Sequence, residues 1–90
     1  MTTTFSPSSH EILTEVGDGT AVLLHLRTKF YYTLNATGLA AWKALDDGAT
    51  LTAIASRITR TFRVDEETAA RDVEPILREL VVEGLVAKSA

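Results

Sequence analysis

Phe30-Tyr31-Tyr32-Thr33-Leu34-Asn35-Ala36-Thr37-Gly38, with Trp42 and Leu45 just beyond, is the stretch that decides the fold. An aromatic and β-branched run suited to a pleated strand stops at an asparagine, and a helical pattern starts at once. Asparagine is a good N-cap, because its side-chain oxygen accepts from the orphan N–H groups of a helix's first turn. A strand therefore passes into a helix with almost no loop. The chain beyond Asn35 reads as helix, so this strand is expected to be the last of its sheet. A last strand presents unpaired N–H and C=O groups, a hazard unless something pairs with them. That edge is the first candidate for a functional site.

Working back from Phe30, Ala21 to Leu26 reads as a strand with Val22, Leu24 and Leu26 on one face. A three-residue loop, Arg27-Thr28-Lys29, would pair Leu26 with Phe30, Leu24 with Tyr32 and Val22 with Leu34, collecting the large apolar residues on one side. It would also place Lys29 in the left-handed region, at roughly 1 kcal/mol. Gly17-Asp18-Gly19 is a turn signal. Before it, Glu11 to Val16 alternate, with Ile12 and Val16 on one face and Glu11 and Glu15 on the other. Residues 1–10 are Ser/Thr-rich and are expected to form a disordered tail, leaving residues 11–88 as a single domain.

Working forward, Leu39, Trp42 and Leu45 mark a first helix that Gly48 can stop. Thr50 caps a second, whose stripe is Leu51, Ile54, Ala55, Ile58 and Phe62. Asp65 caps a third, with Glu66 and Glu67 in the first turn, where negative charge suits the helix dipole. Its apolar positions are Ala69, Val73, Ile76, Leu77, Leu80 and Val81, and Gly84 ends it. Pro75 within it removes one helical hydrogen bond, so a kink that orphans the Arg71 carbonyl is expected. The fold class is α+β: a three-stranded antiparallel meander followed by three helices, the last two arranged like a winged helix-turn-helix.

Composition narrows the function. Ninety residues make one domain with a modest core, and the absence of cysteine excludes thiol chemistry and cysteine-ligated metal sites. No apolar run approaches the ~20 residues that cross a bilayer, and the first residues lack a signal peptide's basic and apolar regions. A cytoplasmic protein with no membrane partner is expected. His10 and His25 are the only side chains suited to acid–base work near neutrality, and both read as solvated. No metal-ligand spacing or phosphate loop is present, so no enzyme activity and no cofactor are expected.

Two binding functions compete. Strands beside a helix-turn-helix suggest a DNA-binding regulator. However, residues 65–83 carry seven acids against two arginines, and the whole chain has a net charge of −3. Phosphate neutralisation dominates affinity for DNA, so such a recognition helix would be repelled. The other reading is peptide capture by strand addition, in which main-chain bonds hold an extended peptide on a sheet edge and flanking pockets choose it. Phe30, Tyr32 and Leu34, with Val73, Ile76, Leu77 and Leu80, are the apolar groups available for those pockets; the same residues also read as core. Tyr31 and Thr33 point the other way and would contribute backbone.

The ordered set Val22-Leu23-Leu24-His25-Leu26-Arg27-Thr28, Tyr31-Tyr32-Thr33-Leu34-Asn35-Ala36-Thr37-Gly38, Trp42, Asp72-Val73, Leu77, Leu80 and Gly84-Leu85-Val86 resembles the coenzyme PQQ synthesis protein D family. The resemblance covers roughly residues 11–86. It implies a recognition element for ribosomally made, post-translationally modified peptides, with a winged-helix-like fold. The leader of the precursor would bind as an added strand on the third strand, over the third helix, where Ala69 and Asp72 complete the implied contact set. Stand-alone length and the tyrosine-tyrosine-x-leucine-asparagine run are most similar to members serving lasso-peptide pathways, which work beside a leader peptidase and a cyclase. Lys29 departs from the glycine common at that hairpin position, and Pro75 is a further departure within the third helix.

Overall fold

A computed structural model describes residues 3–45 and 48–89. The order is β1 (Thr4–Pro7), β2 (Glu11–Glu15), β3 (Ala21–His25), β4 (Tyr31–Leu34), α1 (Ala36–Ala44), α2 (Leu51–Phe62), α3 (Glu66–Val82) and β5 (Val86–Ser89). An antiparallel sheet in the order β2-β3-β4 packs one face against the helices, while β1 pairs with β5 in a separate two-stranded sheet. Among the described residues, no helix is long and apolar enough to cross a membrane.

Each helix starts where its capping residue dictates. Asn35 accepts from the Gly38 N–H at 2.8 Å, Thr50 from Ala53 at 3.1 Å and Asp65 from Thr68 at 2.7 Å. The Thr68 N–H, aided by the Thr68 hydroxyl, holds the Asp65 carboxyl below its ordinary range, as a charge-assisted cap should. The helices bury Leu39, Trp42, Leu45, Ile54, Ile58, Val73, Leu77 and Leu80 against Ala21, Leu23 and Leu34 of the sheet. α3 continues as helix through Pro75, which lies on its exposed side.

Four expectations are corrected. First, Thr4–Pro7 is not a loose tail: it pairs with Val86–Ser89, and Phe5 exchanges two backbone bonds with Ala49 (2.8 and 2.9 Å). Phe5 packs against the core, which supplies the reason to order the segment. Residues 1 and 2 lie outside the described residues.

Second, the β3–β4 register is shifted by one, pairing Leu23 with Tyr32 and Ala21 with Leu34. His25 donates to the Phe30 carbonyl at 2.8 Å, so the loop has four residues, Leu26 to Lys29. Lys29 is left-handed as anticipated, at φ 66°. Because strand side chains alternate, the slip turns Ala21, Leu23 and His25 inward and Val22, Leu24 and Leu26 outward.

Third, β2 is turned likewise: Leu13 packs on the core, whereas Ile12 is 49% exposed and Val16 faces solvent. Glu15 on the inward face reaches Lys43 of α1 at 3.1 Å.

Fourth, His25 is buried rather than solvated. Its Nδ1 accepts from the N–H groups of Arg27 (3.2 Å) and Thr28 (3.3 Å), so the ring closes the hairpin from inside. A side chain satisfied this way can replace an apolar one on the inner face.

Candidate functional site

Among the described residues, β4 borders the sheet and pairs only with β3. Opposed residues of an antiparallel ladder alternate between bonded and non-bonded pairs. With His25 and Phe30 a bonded pair, Tyr32 and Leu34 direct their N–H and C=O groups toward β3. Those of Tyr31 and Thr33 point to the open side. β4 carries no charged residue, and Tyr31 is 72% exposed.

Beside that edge lies a cleft of about 280 Å³, lined by Tyr32, Thr33, Leu34, Asn35, Gly38 and Ile76, with Thr20 at its side. Leu34 is buried under the first turn of α1. A Cβ at Gly38 would meet Leu34 Cδ2 at 3.2 Å, so glycine is what lets the helix start seat on the strand. From the facing helix, Ile76 reaches the cleft half-buried.

Tyr32 is half-buried, with Glu79 and Glu83 of α3 and its C-cap close enough to act on its hydroxyl. Burial first, and then the neighbouring Glu79 and Glu83 carboxylates, push the Tyr32 hydroxyl up to about 12. Asp72, Ile76, Glu79 and Glu83 follow one another at helical spacing and form one face of α3 or its C-cap. Ile76 is the α3 residue that lines the cleft, and the three acids share its helix face.

The sequence-predicted residues divide into three groups. Tyr32, Thr33, Leu34 and Ile76 come together at the cleft. Phe30 and Tyr31 stand exposed at its hairpin end. Ala69, Val73, Leu77 and Leu80 are buried in the core behind it, and Asp72 is exposed one turn before Ile76. Sequence reasoning missed Thr20, Asn35, Gly38, Glu79 and Glu83. The spacing from Asp72 and Ile76 to Glu79 and Glu83 was the available signal, since it puts all four on one helix face. A larger cleft of about 550 Å³ between α1 and α2, lined by Leu39, Lys43, Arg57, Arg60 and Phe62 among others, holds none of the predicted residues. The exposed side of α3 carries paired charges, Glu67 with Arg71 at 3.5 Å and Glu74 with Arg78. No basic surface for nucleic acid arises there.

A family model described as coenzyme PQQ synthesis protein D (PqqD) matches residues 20–86, from the start of β3 to the start of β5. The chain belongs to the PqqD family. Two solved structures share the fold of this PqqD-family chain along almost its whole length. "TbiB1 in Complex with the TbiA(beta) Leader Peptide" is 30% identical, with a TM-score of 0.76 over 90% of this chain and 93% of that one. "Lasso peptide synthetase B1 complexed with the leader peptide" is 25% identical, also with a TM-score of 0.76, over 92% and 96%. No curated protein matches the chain. Both structures are complexes with a leader peptide.

Proposed function

We propose that this protein holds the leader of a ribosomally synthesised precursor peptide, in a lasso-peptide pathway, as a strand added antiparallel to β4. The observation that carries the reading is an uncharged open edge, Tyr31–Leu34, lying directly beside a cleft with an apolar floor. Backbone groups of Tyr31 and Thr33 hold the register, and Ile76, Tyr32 and Leu34 receive an apolar leader side chain. The full-length likeness to two leader-peptide complexes supports the same ligand.

The role is non-catalytic and cytoplasmic. Binding the leader raises the effective concentration of the attached core segment at the enzymes that process it, which needs no chemistry from this chain. A leader peptidase and a cyclase are the partners expected to use the captured precursor. Isothermal titration with the leader peptide of a lasso-peptide precursor tests the reading. Saturable 1:1 binding that Ile76→Asp weakens at least tenfold, in a variant whose circular dichroism is unchanged, is the expected result. Equal affinity in a folded Ile76→Asp variant would rule the cleft out as the leader's seat.

A further inference from the structure

The helices pack on the inner face of the three-stranded sheet and leave its outer face open. Register lines that outer face up in rows across the strands. Ile12, Leu24 and Tyr31 form one row, and Thr14, Val22 and Thr33 form the next. Leu26 extends the face toward the β3–β4 loop and Val16 toward the β2–β3 turn. None of these side chains is charged, and Ile12, Val16, Leu26 and Tyr31 are between 40% and 72% exposed. A solvated sheet face is ordinarily polar, so a contiguous apolar one marks an interaction surface. Charge stands at its two ends. Arg27 and Lys29 lie in the β3–β4 loop, both exposed, and among the described residues no salt bridge engages either. Asp18 lies in the turn at the opposite end, also exposed. Its Oδ1 accepts from the Thr20 N–H and hydroxyl, and a carboxylate so used retains acceptor positions on its other oxygen.

We propose that this outer face is the contact between two copies of the chain, packed sheet on sheet. Charge decides how they meet. Of the two aligned two-fold packings, an axis along the strands lays loop on loop and sets the cations of both copies together. An axis across the strands reverses one sheet against the other and lays Arg27 and Lys29 of each copy over Asp18 of the second. It also stacks the Ile12–Leu24–Tyr31 row of each copy on the Thr14–Val22–Thr33 row of the other and brings Leu26 toward Val16. The exposed part of the face comes to roughly 600 Å² per copy, or about 1,200 Å² for the pair, at the lower end for a specific interface. The dimer is therefore a weak one, with a dissociation constant of roughly 1–100 μM. Because this axis sets β4 over β4, both open borders emerge on the same side of the sandwich and stay free to accept a strand. The dimer thus stands independently of the leader-binding reading.

Sedimentation velocity of the full chain, from low-micromolar to near-millimolar concentration, tests the proposal. The average mass of the wild type should climb from one chain toward two. Ile12→Glu, with circular dichroism unchanged, should stay monomeric throughout. Asp18→Arg should weaken the dimer about five- to tenfold, because each copy then sets cation against cation twice over. Adding Arg27→Asp to Asp18→Arg should bring it back to within about threefold of the wild type. That recovery is a readout that damage to the turn alone would not give. A wild type that is monomeric at every concentration overturns the proposal. A dimer that Ile12→Glu and Asp18→Arg leave intact uses another surface and overturns it as well. A chain that stays monomeric and instead sediments with anionic vesicles, or with a leader peptidase, gives the face to that occupant and equally overturns the dimer.

Discussion

The two edges of the three-stranded sheet, β2 and β4, are built for opposite fates. β2 has a glutamate at each end. The Glu11 carboxylate accepts from the Ser8 hydroxyl and the His10 N–H at 2.7 Å each, while Glu15 reaches Lys43. Charged residues on a border strand are a common device against unwanted pairing. β4 has no charge, two tyrosines, and a cleft alongside. One sheet therefore closes one border and leaves the other available. The open border is the one whose neighbouring helix presents Ile76. An exposed edge becomes a binding site when its flank can tell one peptide from another.

The largest expected effect separates the wall from what holds it up. Leu77 is fully buried behind the cleft, so Leu77→Ala should cost about 2–5 kcal/mol of stability in denaturant melts. Leader affinity in the still-folded fraction should change far less. The next effect acts on the open border alone. Thr33→Pro removes an N–H that faces away from β3, so the ladder survives while one edge donor is lost. We expect roughly tenfold weaker leader binding with unchanged circular dichroism. A melted sheet would show that the Thr33 amide is used internally.

Smaller effects sharpen the contrast. Tyr32 has a raised folded-state value, so its contribution to stability is complete below the ordinary tyrosine value of 10 and is lost as pH rises through about 12. An ultraviolet titration should show a tyrosine ionising near pH 12, and Tyr32→Phe should abolish that step. On the closed border, Glu15→Ala should cost no more than about 0.5 kcal/mol, because the Lys43 pair is half exposed and screened by salt. Leader affinity should not respond to it at all.

Helix starts, the open last strand and the fold class were legible because each is announced locally. Asn35, Thr50 and Asp65 are capping residues placed just before apolar stripes. The strand faces were not. Val22-Leu23-Leu24 is apolar on both sides, so alternation alone could not choose the register. The deciding residue, His25, looks polar until its Nδ1 is seen accepting two backbone N–H groups. β1 was illegible for another reason: Thr4–Pro7 pairs with Val86–Ser89 at the far end of the chain, and no local signal reports so distant a partner. On α3, Ile76 was legible only as one of an apolar stripe. Only the fold separates it from Val73, Leu77 and Leu80, which turn inward.

Amide hydrogen exchange on the protein, with and without the leader, tests the contrast between the two borders most directly. We predict that the Tyr31 and Thr33 amides, open in the free protein, gain protection when leader is added, while those of Leu13 and Glu15 on β2 exchange as before. Protection appearing on β2, or failing to appear on β4 with leader bound, would contradict leader capture at the open border.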